Sequence, residues 1–240
     1  IKYHKMYLNV LKDGCSIAEK GNNLVTIGIT PDYPETGYGY IKFRPEEAEG
    51  NAYTVDRFVE KPDLETAKEY LETEEYLWNS GMFIWKVSTI LENFQKFLPE
   101  MYSGLEKIRS VIGTDKQEMI LEKTFPDLES VSIDYGIMEK AQNIYILPGV
   151  FGWDDVGSWL AVERIQKSNE NGNVVTGNII TIHSKNNIIQ GGKKLIAAVG
   201  LQDLIIVDTD DATLICEKGS AADIKMVLEN LKICNREEYL

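Results

Sequence analysis

Four short segments carry side chains that a fold alone does not require. Phe58-Val59-Glu60-Lys61-Pro62 sets an acid beside a base at the end of an apolar run. Ligand sites of open α/β sheets lie at the carboxyl ends of strands. A lysine there is a point charge suited to a phosphate, and a glutamate can accept from two sugar hydroxyls. The plainer alternative is a surface ion pair, which is common and contributes little. Trp78-Asn79-Ser80-Gly81-Met82-Phe83 sets an amide and a hydroxyl in the middle of an aromatic strand. Such uncharged, directional groups suit hydroxyl recognition, and a β-bulge accounts for the same residues equally well. Thr36-Gly37-Tyr38-Gly39-Tyr40 places two glycines at a strand entrance, where the backbone either approaches a ligand closely or simply bends.

The fourth segment, Phe151-Gly152-Trp153-Asp154-Asp155-Val156-Gly157-Ser158-Trp159, holds two adjacent carboxylates in an apolar loop. A carboxylate so placed is costly unless it is paired, caps a helix or holds a cation. Mg²⁺ takes one or two carboxylates and completes its shell with phosphate oxygens and water. One aspartate is explained as a helix cap; two in succession favour a metal. Together the four segments describe a polar cleft for a phosphorylated, hydroxyl-rich ligand with a divalent cation, and they name no reaction.

The elements that must position these groups read as α/β. Residues 3–20 place Tyr7, Val10, Leu11, Cys15 and Ala18 on one helical face. Gly21-Asn22-Asn23 ends that helix. Residues 24–29 follow as a buried strand of a parallel sheet. Residues 38–43, 53–60 and 77–86 read as further strands. Asp63 caps a helix with Leu64, Ala67, Tyr70 and Leu71 inward, and a helix from Ser88 stops at Pro99. Residues 100–142 read as helical pieces broken at Gly113 and Pro126, and residues 143–147 as a strand. After Asn169 short β-branched runs punctuated by Gly, Asn and Asp replace this pattern. The expectation is an α/β domain over residues 1–170 and a β-rich, solenoid-like domain with a closing helix over residues 171–240.

Composition bounds the rest. A chain of 240 residues with 43% hydrophobic and 26% charged residues is globular rather than disordered. Its 25 Lys+Arg against 38 Asp+Glu leave a charge of −13 and argue against nucleic acid as a partner. Residues 46–75 alone hold 11 acids against 3 bases, read as a solvated surface. Cys15, Cys216 and Cys234 are odd in number and far apart, which fits reduced thiols better than disulfides or zinc. No apolar run spans a membrane and the start does not read as a signal peptide, so the expected compartment is the cytoplasm.

In this order and at these intervals, the four segments resemble the bacterial mannose-1-phosphate guanylyltransferase family, the GDP-mannose pyrophosphorylases. Residues 199–212 (Val199-Gly200-Leu201-Gln202-Asp203 through Asp210-Asp211-Ala212) are similar to the C-terminal part of the same family. The resemblance implies a nucleotide-diphospho-sugar transferase domain, Rossmann-like, followed by a small left-handed β-helix that suggests a homodimer. It implies the reaction of GTP with mannose 1-phosphate to give GDP-mannose and pyrophosphate. Carried over, Lys61 holds the sugar phosphate, while Glu60 and Asn79 bind mannose hydroxyls. Ser80 and the backbone at Gly37 and Gly39 complete the pocket. Asp155 is a Mg²⁺ ligand, and Asp154 stands at a variable position. Neither the family's Gly-rich, Arg-bearing phosphate loop nor its Asp-His pair is found in these 240 residues. The expectation is an N-terminally shortened form with little or no catalysis, weak GTP binding, and an exposed sheet edge or apolar patch. A related sugar-1-phosphate nucleotidyltransferase and a non-catalytic sugar-phosphate-binding subunit remain as alternatives.

Overall fold

Apolar residues three and four apart dock helix α1 (His4–Lys20) on strand β1 (Leu24–Ile29) in the computed structural model, which describes residues 1–239. Gly14, Ile17 and Ala18 are the buried positions of α1, and Tyr7, Val10 and Leu11 pack beside them. Gly14 permits the close approach: a Cβ there would stand 2.5 Å from Ile84 Cδ1. Cys15, expected inward, is exposed, because Gly14 rather than Cys15 faces the sheet. All six residues of β1 are buried. Its apolar run is continuous because both faces are covered, Leu24 and Val25 contributing to different clusters from Ile27 and Ile29.

The chain packs as two units, Ile1–Trp153 and Asp154–Leu240. In the first, β1 is joined by β2 (Tyr40–Glu49), β3 (Ala52–Val59), β4 (Tyr76–Ile84) and β5 (Ile144–Gly149). The strands close on themselves in the order β1-β4-β2-β3-β5. The sheet is mixed, not parallel: β1 runs parallel to β5 and antiparallel to β4, and the other pairings are antiparallel. The hairpin β2–β3 and the return through β4 impose this, since consecutive short-looped strands reverse direction. Each of the five strands has two neighbours, so the expected free sheet edge is not found among them. Exposed apolar side chains occur instead on and before α1, at Ile1, Tyr3, Met6 and Leu8.

Asp63 caps α2 (Leu64–Thr73), its carboxylate accepting from Thr66 N–H at 2.8 Å. Ala67 is the buried residue of that helix, while Leu64, at the capped end, is half exposed rather than inward. Pro99 both ends α3 (Val87–Phe97) and opens α4 (Pro99–Arg109), since a proline at the first helical position loses no hydrogen bond. Helix α5 (Gln117–Thr124) follows, then a π-helical turn, Asp134–Met138, whose Gly136, Ile137 and Met138 are buried. Ile137 and Met138 join Leu24, Ile90 and Ile144 in one cluster.

The second unit begins with a loop and the short helix α6 (Ala161–Ile165). Strands β6 (Val174–Thr176), β8 (Ile188–Gln190) and β10 (Leu204–Asp208) stack parallel, and β11 (Thr213–Glu217) closes the layer antiparallel. A second layer pairs β7 (Ile179–Ile182) with β9 (Ile196–Val199), also parallel. The strands begin near residue 170, where the composition changes, but packing divides the chain earlier. Val162 of α6 and the neighbouring Trp159 and Leu160 join Val174, Ile188 and Ile205 in one cluster. Buried Asn173 and Asn187 link successive rungs: Asn173 Oδ1 accepts from Asn187 N–H at 3.0 Å, and Asn187 Oδ1 from Leu204 N–H at 2.9 Å. These bonds step 14 and 17 residues, so the rungs differ in length. Helix α7 (Ile224–Ile233) follows β11 and buries none of its residues. Among the described residues no helix is long and apolar enough to cross a membrane.

Two stability outcomes follow from this packing. A Cβ at Gly28 would lie 2.5 Å from Ile146 Cδ1 and 2.6 Å from Leu77 Cβ. Gly28→Ala is therefore expected to cost about 1–3 kcal/mol by overpacking, read as a lower denaturant midpoint. The Thr66 N–H bond holds the Asp63 carboxyl below its ordinary range. The cap's contribution is thus complete at neutral pH and fades as pH falls through that lowered value. Asp63→Ala should lower the melting temperature at pH 7 and leave it nearly unchanged at strongly acidic pH.

Candidate functional site

The loop between β1 and β2 is held by aromatic edges. Tyr33 and Tyr38 meet Trp78 edge-on, with centroids 4.9 and 5.4 Å away, and Tyr38 also meets Trp153 at 5.5 Å. Burial pushes the Tyr40 phenol above its ordinary pKa, and its neutral O–H donates to Glu35 C=O at 2.8 Å. The end of this loop is tied to β4, where Asn79 N–H donates to Gly39 C=O at 2.8 Å.

Gly39 is where the separate segments converge. A Cβ built there would stand 3.3 Å from Glu60 Oε2, 3.5 Å from Val59 C=O and 3.6 Å from Asn79 Cβ. The backbone at Gly39, the carboxylate that follows β3 and the side chain of Asn79 on β4 therefore lie side by side, and a side chain at position 39 would crowd Glu60. Lys61 lies beside it, its Nζ 3.5 Å from Glu60 Oε1, with side-chain exposures of 62% and 45%. The surface ion pair is thus real, and at this exposure contributes little to stability. Lys61 also has φ +22°, a conformation rare for a non-glycine residue, immediately before Pro62. Strain of this kind costs on the order of 1–3 kcal/mol and clusters at ligand-binding positions.

Strand β4 delivers Asn79 through an interruption. Ile27 pairs with Met82 but Gly28 pairs with Asn79, so Ser80 and Gly81 are extruded, Gly81 with φ +68°. The two readings of this segment coincide, because the bulge is what presents the amide. Ser80 turns the other way: its Oγ donates to Ile27 C=O and accepts from Met82 N–H at 3.3 Å. Its hydroxyl proton serves the bulge rather than the space over Gly39. Gly37 is likewise not in that group; its N–H donates to Glu35 Oε1 at 2.7 Å.

The two aspartates of the fourth segment separate cleanly. Asp154 is bound by Arg164 through two bonds of 2.6 and 2.9 Å, its side chain 16% exposed. Asp155 is exposed and has no ion-pair partner among the described residues, so it is the carboxylate available to a cation. No group of three or more His, Cys, Asp and Glu that could hold a metal occurs among the described residues. A residue outside the four segments also reaches the site. Asp134 Oδ1 accepts from Asn79 Nδ2 at 2.9 Å across 55 residues of sequence. Its one sequence signal is a lone acid in the apolar run Ile133 to Met138, which periodicity alone reads as an exposed helical position.

A family model described as Nucleotidyl transferase matches residues 3–172. The chain belongs to the nucleotidyl transferase family. Residues 177–231 of this transferase match a second model, described as a MannoseP isomerase/GMP-like beta-helix domain, in agreement with the stacked parallel strands. A mannose-1-phosphate guanylyltransferase of Salmonella muenchen is 39% identical over 240 residues, covering 100% of this chain and 50% of the relative. Mannose-1-phosphate guanylyltransferase 2 of Escherichia coli O157:H7 is 38% identical, covering 100% of this chain and 51% of the relative. The chain thus spans about half the length of the curated relatives it matches. A crystal structure from Thermus thermophilus, described as a mannose-1-phosphate geranyltransferase, superposes with a TM-score of 0.80 at 32% identity, covering 96% of this chain and 66% of that one.

The contrast between the two aspartates is measurable. Asp154→Ala removes both hydrogen bonds to Arg164 and is expected to lower the melting temperature by a few degrees, whereas Asp155→Ala should leave it within about one degree. Equal losses in the two variants, measured calorimetrically, would refute the assignment of different roles.

Proposed function

We propose that this chain carries the sugar-phosphate side of a mannose-1-phosphate guanylyltransferase site. The observation that carries the reading is the close approach of Gly39, Glu60 and Asn79, with Lys61 beside them. In this reading a hexose hydroxyl donates to Glu60 while Asn79 donates to and accepts from neighbouring hydroxyls. Lys61 Nζ, on a flexible stem, binds the phosphate oxygens. Gly39 matters through its missing side chain, and Ser80 through the bulge that it holds.

The reaction of the whole enzyme would be in-line attack by an oxygen of mannose 1-phosphate on the α-phosphorus of GTP. A phosphorus–oxygen bond forms as the bond to pyrophosphate breaks. Catalysis of this kind consists of positioning and charge neutralisation. Mg²⁺ would supply charge stabilisation to the phosphates when bound, and a single exposed carboxylate such as Asp155 suits an ion that keeps phosphate and water ligands. GTP as the nucleotide, the cytoplasm as the compartment and a homodimer as the assembly belong to the same proposal, supported by the family resemblance.

The test is a calorimetric titration of the chain with mannose 1-phosphate, glucose 1-phosphate and inorganic phosphate. Mannose 1-phosphate should bind most tightly. Lys61→Ala should weaken it about tenfold, the loss of one charge-assisted contact. Gly39→Ala should weaken the sugar phosphate more than inorganic phosphate, because the added methyl displaces Glu60. Absence of sugar-phosphate binding, or equal affinity for all three anions, would overturn the reading.

A further inference from the structure

The amide of Asn79 is held from two sides. Its Nδ2 donates to Asp134 Oδ1 at 2.9 Å, and its Oδ1 accepts from Gly81 N–H at 3.0 Å. A carboxylate can only accept and a backbone N–H can only donate. The pair of bonds therefore admits one orientation of the amide, nitrogen toward Asp134 and oxygen toward Gly81. One N–H and one carbonyl lone pair remain for a ligand, on a side chain whose Cβ neighbours Gly39, which also neighbours Glu60 Oε2.

Asp134 is well founded for such a task. It opens the π-helical turn Asp134–Met138, and its C=O accepts from Glu139 N–H at 2.9 Å. The following Gly136 is buried beside Leu98, and Ile137 and Met138 are buried with residues of α3, β1 and β5, so the backbone behind the carboxylate is anchored in the core. A half-buried carboxylate on this rigid base reaches over to β4 and fixes a polar side chain that no core contact constrains.

We propose that Asp134 is a positioning residue that locks the Asn79 amide in the orientation that reads hexose hydroxyls. This rests on the sugar-phosphate reading of the site. Without Asp134 the amide keeps only its Gly81 bond and can rotate, so hydroxyl recognition is lost while phosphate binding at Lys61 persists.

The test compares wild type, Asp134→Ala, Asp134→Asn, Asn79→Ala and the Asp134→Ala/Asn79→Ala double variant. Each is titrated with mannose 1-phosphate and with inorganic phosphate, and the Asn79 side-chain amide signals are followed by NMR. Asp134→Ala should weaken mannose 1-phosphate about tenfold, leave inorganic phosphate unchanged and shift the Asn79 amide pair. Asp134→Asn, whose carbonyl can accept the same bond, should restore most of the affinity. The double variant should be no weaker than Asn79→Ala alone. Additive losses, equal losses for both ligands, or an unmoved Asn79 amide in Asp134→Ala would overturn the proposal. If Asp134→Ala does not fold, Asp134→Ser, too short to reach Asn79, takes its place. A wild type that binds no mannose 1-phosphate overturns the substrate reading and with it the recognition role, whereas a locked or unlocked Asn79 amide decides the Asp134 contact separately.

Discussion

The slip in pairing between β1 and β4 is the constraint on which the site depends. Ile27 faces Met82 while Gly28 faces Asn79, so the extra length on β4 is Ser80 and Gly81. Side chains of a strand alternate with period 2, and a two-residue insertion preserves that alternation on either side. Trp78 and Met82 accordingly belong to the same apolar cluster although the ladder is broken between them. The fold thus gains a polar projection without any loss of core.

From that projection the rest of the site is assembled by backbone. Asn79 N–H binds Gly39 C=O and draws the β1–β2 loop onto β4, while β3 brings Glu60 and Lys61 to the same end. The aromatic edges of Tyr33, Tyr38 and Trp78 brace the loop from behind. What remains in front is a glycine, a carboxylate, an amide and a lysine on a surface that is otherwise strongly acidic. A net charge of −13 does not by itself exclude an anion from the neighbourhood of an exposed lysine, because exposed charges farther away than a Debye length of about 8 Å are screened.

The second unit solves a different problem with similar means. Short strands stack in parallel, and their turns would leave polar backbone groups buried. Asn173 and Asn187 satisfy them, each bridging to the next rung. Because the rungs differ by several residues, no fixed repeat shows in the sequence even though the stacking is regular in space.

The apolar spacing of α1, the cap at Asp63, the strands through Glu60 and Asn79 and the change to short β-branched runs were all legible in the sequence, since each is a local pattern with a period or a turn chemistry of its own. So were the four segments with chemistry and the family they resemble. Strand direction was not legible, because local pattern sets an element's type and not its neighbours; the mixed sheet follows from the β2–β3 hairpin. Only the family resemblance separated Asp154 from Asp155 in the sequence; the structure adds the physical difference, that Arg164, ten residues on, reaches the first. The sequence could not turn Ser80 away from the pocket or bring Asp134 to Asn79. By itself the sequence determined which polar and charged residue types were present and which elements carried them. Only the tertiary structure decided which of those groups meet, because hydrogen-bond partners 55 residues apart are chosen by packing and not by spacing.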